Sequence, residues 1–336
     1  MNIWLLRWRI FYALKRARYC LFFFLFILAI SLLAPFIANE KPLFIYKDSV
    51  LFFPIFKDYP ETAFGGDFDT TPDYKDPFVK NLLRDAIVIY PLIGYAPDSI
   101  DWELEGIPPT PPDSRHWLGT DDQGRDLASR LLYGLRISLV FGISLSLCTV
   151  ILGVILGGLQ GYYGGAVDLL GQRLSEIWGA VPVLFLIIII SSVMPPSFFI
   201  ILGITLLFSW TSIASVVRAE FLRARNYEFV KAARVLGFGN LYIAFRHILP
   251  NALVATLTYL PFLMIGSITT LATLDFLGFG LPLGSPSLGE LLHQGKNNLQ
   301  APHLGLTSFL SLALLLSSLV FIGEGVRDSF AKEKSM

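Results

Sequence analysis

Charge is scarce in this chain, and so are cysteine and histidine. Of its 336 residues, 15% are Asp, Glu, Lys or Arg, against about 25% in soluble domains. A disordered chain needs high net charge and few apolar residues, which is excluded here. A basic nucleic-acid arm is excluded as well, because Lys and Arg (26) equal Asp and Glu (26). The two cysteines, Cys20 and Cys148, stand apart in apolar runs, so neither a disulfide framework nor a thiolate metal site is expected. The four histidines, His116, His247, His293 and His303, show no HExxH or paired spacing, and no metal centre is expected from them. Gly289 and Gly295-Lys296 approach a phosphate-binding loop, but five residues separate the glycines where four are required. Asn297 also replaces the Ser or Thr that would hold magnesium. The chain is therefore expected to have no catalytic residue, to bind no cofactor of its own and not to be an enzyme.

What the chain does have is long apolar runs, with 54% hydrophobic residues overall. Six blocks approach the roughly 20 helical residues that cross about 30 Å of hydrocarbon. They lie near Tyr19 to Ala38, Ile137 to Gln160, Ile177 to Met194, Phe198 to Val217, Leu253 to Leu274 and Leu304 to Gly323. The first block carries no charge and ends on Pro35-Phe36-Ile37, without a small-residue cleavage site, so it reads as a retained span. Five basic residues, Arg7, Arg9, Lys15, Arg16 and Arg18, precede it with no acidic one. Short cytoplasmic segments carry such an excess, which places the N-terminus inside. Six spans return the C-terminus to the inside. The segment from Arg218 to Asn251, with six basic and two acidic residues, falls on the same side.

The expected fold class is an all-α integral membrane protein with six transmembrane helices and a large external insertion. Residues 1–18 form a basic cytoplasmic arm, 19–38 the first span and 39–134 the external segment. Residues 135–323 form a five-helix core with a cytoplasmic loop at 218–251, and 324–336 form a cytoplasmic tail. The external segment holds 17 acidic and 9 basic residues, a net charge of −8. It is too long for a simple connection, so it is either a small domain or an ordered loop packed on something else. Clusters such as Leu51-Phe52-Phe53-Pro54 favour packing over disorder.

Three features stand out. Gly153, Gly157, Gly161 and Gly165 recur every four residues, lining one helix face for close helix packing, within this chain or against another subunit. Asp275 is an ionisable group near the end of the fifth span. It is either a satisfied helix-end carboxylate or part of a translocation path or outer gate. In the 218–251 loop, Asn226 is expected to cap a helix from Tyr227 to Leu236, and Gly237 to take the left-handed position that ends it. Phe229, Ala232, Ala233 and Leu236 would form its apolar stripe, with Glu228, Lys231 and Arg234 on the polar side. Asn240 would cap a second short helix, with Leu241, Ala244, Phe245 and Ile248 on one face and Pro250 near its end. Pattern alone leaves a membrane-surface helix and a partner-docking knob equally open.

The run Glu228-Phe-Val-Lys-Ala-Ala-Arg-Val-Leu-Gly237, followed by His247-Ile-Leu249-Pro250, resembles the loop of the integral membrane subunits of bacterial ABC importers. Lys231 and His247 replace two residues of that pattern, as in the peptide-importer branch. His116-Trp-Leu-Gly-Thr-Asp-Asp-Gln-Gly-Arg-Asp126, Ser129-Arg130, and Gly161-Tyr-Tyr-Gly-Gly165 with Asp168 and Arg173 are similar to that branch too. The run Thr273 to Glu290 and the long outer insertion resemble the second (C-type) permease subunit of microcin C and oligopeptide importers. The resemblance implies the type I, MetI-like permease fold in the bacterial inner membrane. The implied partners are a homologous second permease, two cytoplasmic ATPase subunits or domains that bind ATP and magnesium, a periplasmic binding protein and a peptide substrate. It also implies that Glu228, Phe229, Lys231, Ala232, Ala233, Leu236, Gly237, Leu249 and Pro250 couple ATP hydrolysis to transport. A self-contained channel or secondary carrier, and a membrane-anchored enzyme with its site in the outer segment, are the rival readings.

Overall fold

A computed structural model of the chain describes residues 3–331 except Glu105 and Leu283. Met1, Asn2 and residues 332–336 of the expected tail lie outside the described residues. In chain order, α1 (Ile3–Ala13), α2 (Lys15–Leu32) and α3 (Ala34–Ile37) precede β1 (Phe44–Lys47) and β2 (Val50–Phe52). After a 3-10 turn at Glu61–Phe64 come α4 (Pro77–Leu82) and β3 (Ile87–Ile89). Then follow α5 (Leu127–Tyr163), α6 (Gly165–Gly179), α7 (Val183–Val193), α8 (Phe198–Ala224), α9 (Glu228–Val235) and α10 (Asn240–Ile243). A π turn at Ala244–Ile248 leads into α11 (Leu249–Phe276), and α12 (Leu288–Asn297) and α13 (Pro302–Ala331) complete the order.

By length and composition α5, α8, the run 240–276 and α13 can cross a membrane, and the pair α6 and α7, bent by 61°, is either a broken fifth span or a re-entrant loop. The expected block Ile177 to Met194 is thus not continuous. Its break falls at residues 180–182, where Pro182 has no amide hydrogen to continue a ladder. The first expected span is helical as α2, whose opening turn carries Lys15, Arg16 and Arg18.

The chain divides into two compact units. One comprises residues 1–25, 138–283 and 313–336, and within it α5 packs on α8 through glycine. A methyl group at Gly153 would press on the Ile213 side chain, one at Gly157 on the Ala214 backbone, and one at Gly161 on Phe221 and Arg218. Gly165 does not extend this row, because α5 ends at Tyr163 and nothing lies within 4 Å of a Cβ at 165. At Gly153, Gly157 and Gly161, α5 and α8 of this chain therefore approach too closely for a side chain, the kind of contact that helices in lipid use in place of a hydrophobic drive. Asp168 on α6 pairs with Arg218 on α8 through two contacts, Nη2 to Oδ2 being 2.8 Å.

The other unit comprises residues 26–137 and 284–312, and it shows that the all-α class does not extend to the external segment. A three-stranded antiparallel sheet in the order β2-β1-β3 places Ile45 opposite both Phe52 and Val88. The β1–β2 turn is Asp48-Ser49, both at positive φ (50° and 65°), which is the geometry whose twist matches paired strands. Asp76 accepts a hydrogen bond from the Phe78 amide at 2.7 Å and so caps α4. Ile45, Phe64, Tyr74, Val79 and Leu83 are buried together, with Phe52 packed edge-on against Phe64. This segment is a small domain with its own core, and Phe52 is the member of the Leu51-Phe52-Phe53-Pro54 cluster that joins it.

Candidate functional site

The loop between α8 and α11 folds into a knob. Tyr227, and not Asn226, occupies the position before α9. The Asn226 side-chain amide instead donates to the Leu222 carbonyl at 3.2 Å, closing the end of α8. At the other end of α9 the Gly237 amide donates to Arg234 and the Phe238 amide to Ala233, at 3.0 and 3.2 Å. This pair of bonds is the Schellman termination, with Gly237 at φ +81° as the spacing requires. No described atom lies within 4 Å of a Cβ at 237. Glycine is therefore needed there for its backbone conformation alone.

The expected stripe divides in two. Ala233 turns inward with Val230, both buried with Tyr162, Phe221, Ala224, Ile243, Ile248 and Ala252, while Leu249 packs against this cluster. Phe229, Ala232 and Leu236 face outward, Phe229 at 46% exposure and Leu236 at 75%, and Val235 joins them at 88%. Glu228 and Lys231 pair across one turn at 2.9 Å on the exposed side. The knob therefore has a dry inner face that fixes it to the helix bundle and an apolar outer face that no other described residue covers.

The second half also differs from expectation. Gly239 takes the cap position, which leaves the Asn240 side chain to accept a hydrogen bond from the Tyr162 hydroxyl at 2.8 Å. Arg234 lies over the Tyr162 ring at 5.7 Å, a cation–π contact. No free second helix forms. Residues 240–276 run on through the π turn into the span, and Pro250 stands directly after that turn, where it supplies no amide hydrogen to the carbonyls before it. Ile243 and Ile248 are buried, whereas Leu241 and Phe245 are exposed. His247 sits between the rings of Phe229 and Tyr242, at 6.2 and 5.7 Å. Tyr162, Val230 and Ile243 are the anchoring residues that sequence reasoning missed. Val230 and Ile243 carry a hydrophobic signal, but no periodicity links residue 162 to residue 240.

Asp275 is buried at the end of α11, and its Oδ1 accepts the Leu281 amide at 2.7 Å. It closes the turn at 277–281, where Gly280 approaches it too closely for any side chain.

The runs His116 to Arg130 and Thr273 to Glu290 also yield a definite structure. Within the outer unit, Arg130 is fully buried, and its guanidinium donates to the carbonyls of Pro97, Gly284 and Ser285 at 3.0–3.1 Å. It also pairs with Asp121 at 3.1 Å. Arg125 shares Asp121 at 2.7 Å and donates to Gly284 at 3.2 Å. His116 is buried between two carboxylates, Nδ1 lying 2.9 Å from Asp126 and Nε2 3.1 Å from Asp101. Burial alone would lower the His116 pKa, but the hydrogen bonds and charges of Asp126 and Asp101 outweigh it and raise the pKa. The Tyr95 phenol is pushed up to about 12 by burial and by neighbouring Asp101.

Residues 150–335 match the family described as binding-protein-dependent transport system inner membrane component. The chain is 53% identical to the inner membrane ABC transporter permease protein YejE of Escherichia coli K12, over 98% of this chain and 97% of that protein. It is 48% identical to the peptidoglycan transport system permease protein YejE of Agrobacterium fabrum, over 98% and 93%. It is 35% identical to the oligopeptide transport system permease protein OppC of Haemophilus influenzae, over 69% and 75%. The apolar helices and these matches together show that the chain belongs to the binding-protein-dependent transport system inner membrane component family, the multi-pass membrane permeases of ABC importers, and is a transport component.

Proposed function

We propose that this chain is one of two permease subunits of an ATP-driven importer that moves peptides, oligopeptides and microcin C-like conjugates among them, from periplasm to cytoplasm. Six spans, α2 being the first, place both termini and the knob in the cytoplasm. Two ATPase subunits or domains supply the energy, and a periplasmic binding protein delivers the peptide to the outer side. Relatives named for oligopeptide and peptidoglycan transport support the substrate class.

The observation that carries this reading is the two-faced knob. Its inner face is fixed by Val230, Ala233 and the Tyr162–Asn240 hydrogen bond. Its outer face presents Phe229, Ala232, Val235 and Leu236 to a partner. A motion of that partner is passed to α8 and α11 as a rigid displacement, because the turn between the two halves is locked at Gly237. Asp275 holds the turn after α11. The −8 charge of the outer segment steers the binding protein at low ionic strength.

The test is reconstitution of the native complex in vesicles with a labelled oligopeptide and the binding protein outside. Uptake is expected to require ATP on the knob side. Uptake that persists after ATP depletion would instead establish a self-contained carrier.

A further inference from the structure

The sheet of the outer domain is apolar on both faces. Side chains alternate along a strand, so Ile45, Phe52 and Val88 point together into the core, while Tyr46, Leu51 and Ile87 form one row on the opposite face. That second row is exposed, Leu51 at 55% and Ile87 at 61%. An antiparallel sheet with one face in water carries polar residues on that face. The apolar surface continues past β2, where the amides of Phe56 and Lys57 donate to the Phe53 carbonyl at 3.1 and 3.2 Å. This tight turn presents Phe53 and Phe56 side by side, and Phe56 is 75% exposed.

Such a surface marks an interaction site, and its place in the chain selects the partner. The Phe56 ring lies 5.7 Å from the Phe36 ring in an edge contact. Phe36 belongs to α3, which begins two residues after α2 ends. Tyr19 is the first residue of α2 past its basic turn. From Tyr19 to Phe36 the chain rises about 26 Å at 1.5 Å per residue, against about 30 Å of hydrocarbon. Phe36 therefore stands at the outer hydrocarbon boundary, with Phe56 beside it. A soluble partner would have to displace headgroups to reach this level, whereas lipid is already there. Phe and Leu are the side chains that interfacial segments bury, and Tyr46 adds the amphipathic ring typical of that layer. The net charge of −8 on the outer segment gives no attraction to anionic headgroups, so the contact is apolar.

We infer that the face formed by Tyr46, Leu51, Phe53, Phe56 and Ile87 lies in the outer headgroup layer and holds the outer domain down on the lipid surface. The inference rests on the reading of α2 as the first span.

The experiment uses the full chain in its native complex, with Cys20→Ser and Cys148→Ser and no other reactive thiol, reconstituted in phosphatidylcholine vesicles. Single cysteines in Leu51→Cys, Phe56→Cys, Asn81→Cys and Phe26→Cys carry an environment-sensitive fluorophore. The vesicles contain lipid with a nitroxide either near the headgroup or near the methyl end of the acyl chain. The shallow nitroxide should quench the labels at 51 and 56, equally at low and high salt. It should leave the label at 81 bright, since exposed Asn81 is on α4, across the core from the sheet. The deep nitroxide should quench the label at 26 in the middle of α2. Labels at 51 and 56 quenched no more than the label at 81 would overturn the lipid face, and quenching that vanishes at high salt would overturn its apolar basis. A bright label at 26 would instead remove the first span, a separate failure, because quenching at 51 and 56 decides the lipid contact by itself.

Discussion

The Tyr162 hydroxyl donates to the Asn240 side-chain oxygen at 2.8 Å, tying the last turn of α5 to the first residue of the run that becomes the α11 span. It is a hydrogen bond between two helix ends 78 residues apart in sequence. Together with the buried contacts of Val230 and Ala233 it makes the knob part of the helix bundle, so that pressure on the outer face of α9 reaches α5, α8 and α11 together.

Tyr162→Phe removes only this hydrogen bond and keeps the ring under Arg234. The expected stability cost is about 1 kcal/mol, typical of one hydrogen bond. ATPase subunits should still co-purify, while peptide delivered per ATP falls. A stopped-flow comparison of uptake with phosphate release would show unchanged coupling if the bond has no role.

Gly157→Ala tests the helix contact. A Cβ there meets the Ala214 backbone, which cannot turn aside as a side chain could. Overpacking of this kind costs about 1–3 kcal/mol. Gly203→Ala, with open space at its Cβ, should cost far less. Accumulation and thermal unfolding of the two purified variants should differ in that order.

Arg130 holds three carbonyl groups and Asp121 from a fully buried position. Its loss in Arg130→Ala leaves Asp121 and Gly284 to Arg125 and strands the carbonyls of Pro97 and Ser285, at about 1–3 kcal/mol for each unsatisfied acceptor. Arg130→Lys should rescue little, since a single ammonium cannot span the fork. Protease resistance of the outer unit in intact protein reads both variants, and full resistance of the lysine form would contradict the fork argument.

His116 gives the outer unit a pH dependence of known sign. Its folded pKa lies above the unfolded value of about 6.5. The stabilisation is therefore complete below about pH 6.5 and is lost as pH rises through the higher folded value. Hydrogen exchange in segments 95–101 and 113–126 should speed up on going from about pH 6 to 9 beyond the intrinsic rate change. In His116→Asn that extra acceleration should vanish.

Much of this was legible in the sequence because it is local. Apolar blocks announce spans by length, and Gly237 announces a left-handed turn by standing just past a periodic stretch. The orientation of α9 was not legible. Its stripe has two flanks, and Ala233 lies on the flank that turns toward Val230, a choice made by Phe221 and Ile248 from other helices. The π turn is equally hidden, since continuing helix and new helix share the same residue preferences. Arg130 and Gly284 each lay in a recognisable run, yet their contact spans 154 residues and no spacing rule reaches that far. The sheet of the outer domain escaped notice because its turn, Asp48-Ser49, lacks the glycine that usually marks such hairpins.

The central claim is that the knob transmits force because its turn is locked, and substitution at Gly237 addresses it most directly. No described atom lies within 4 Å of a Cβ there, so an added Cβ meets no clash and acts through the +81° φ, which strains a non-glycine residue by roughly 1–2 kcal/mol. The measurement is peptide imported per ATP hydrolysed in reconstituted complexes with Gly, Asn, Ala or Val at 237. The account predicts near wild-type coupling for Asn, which tolerates the left-handed region, a partial loss for Ala and uncoupling for β-branched Val. Full uptake and full ATPase association with Val at 237 would contradict it.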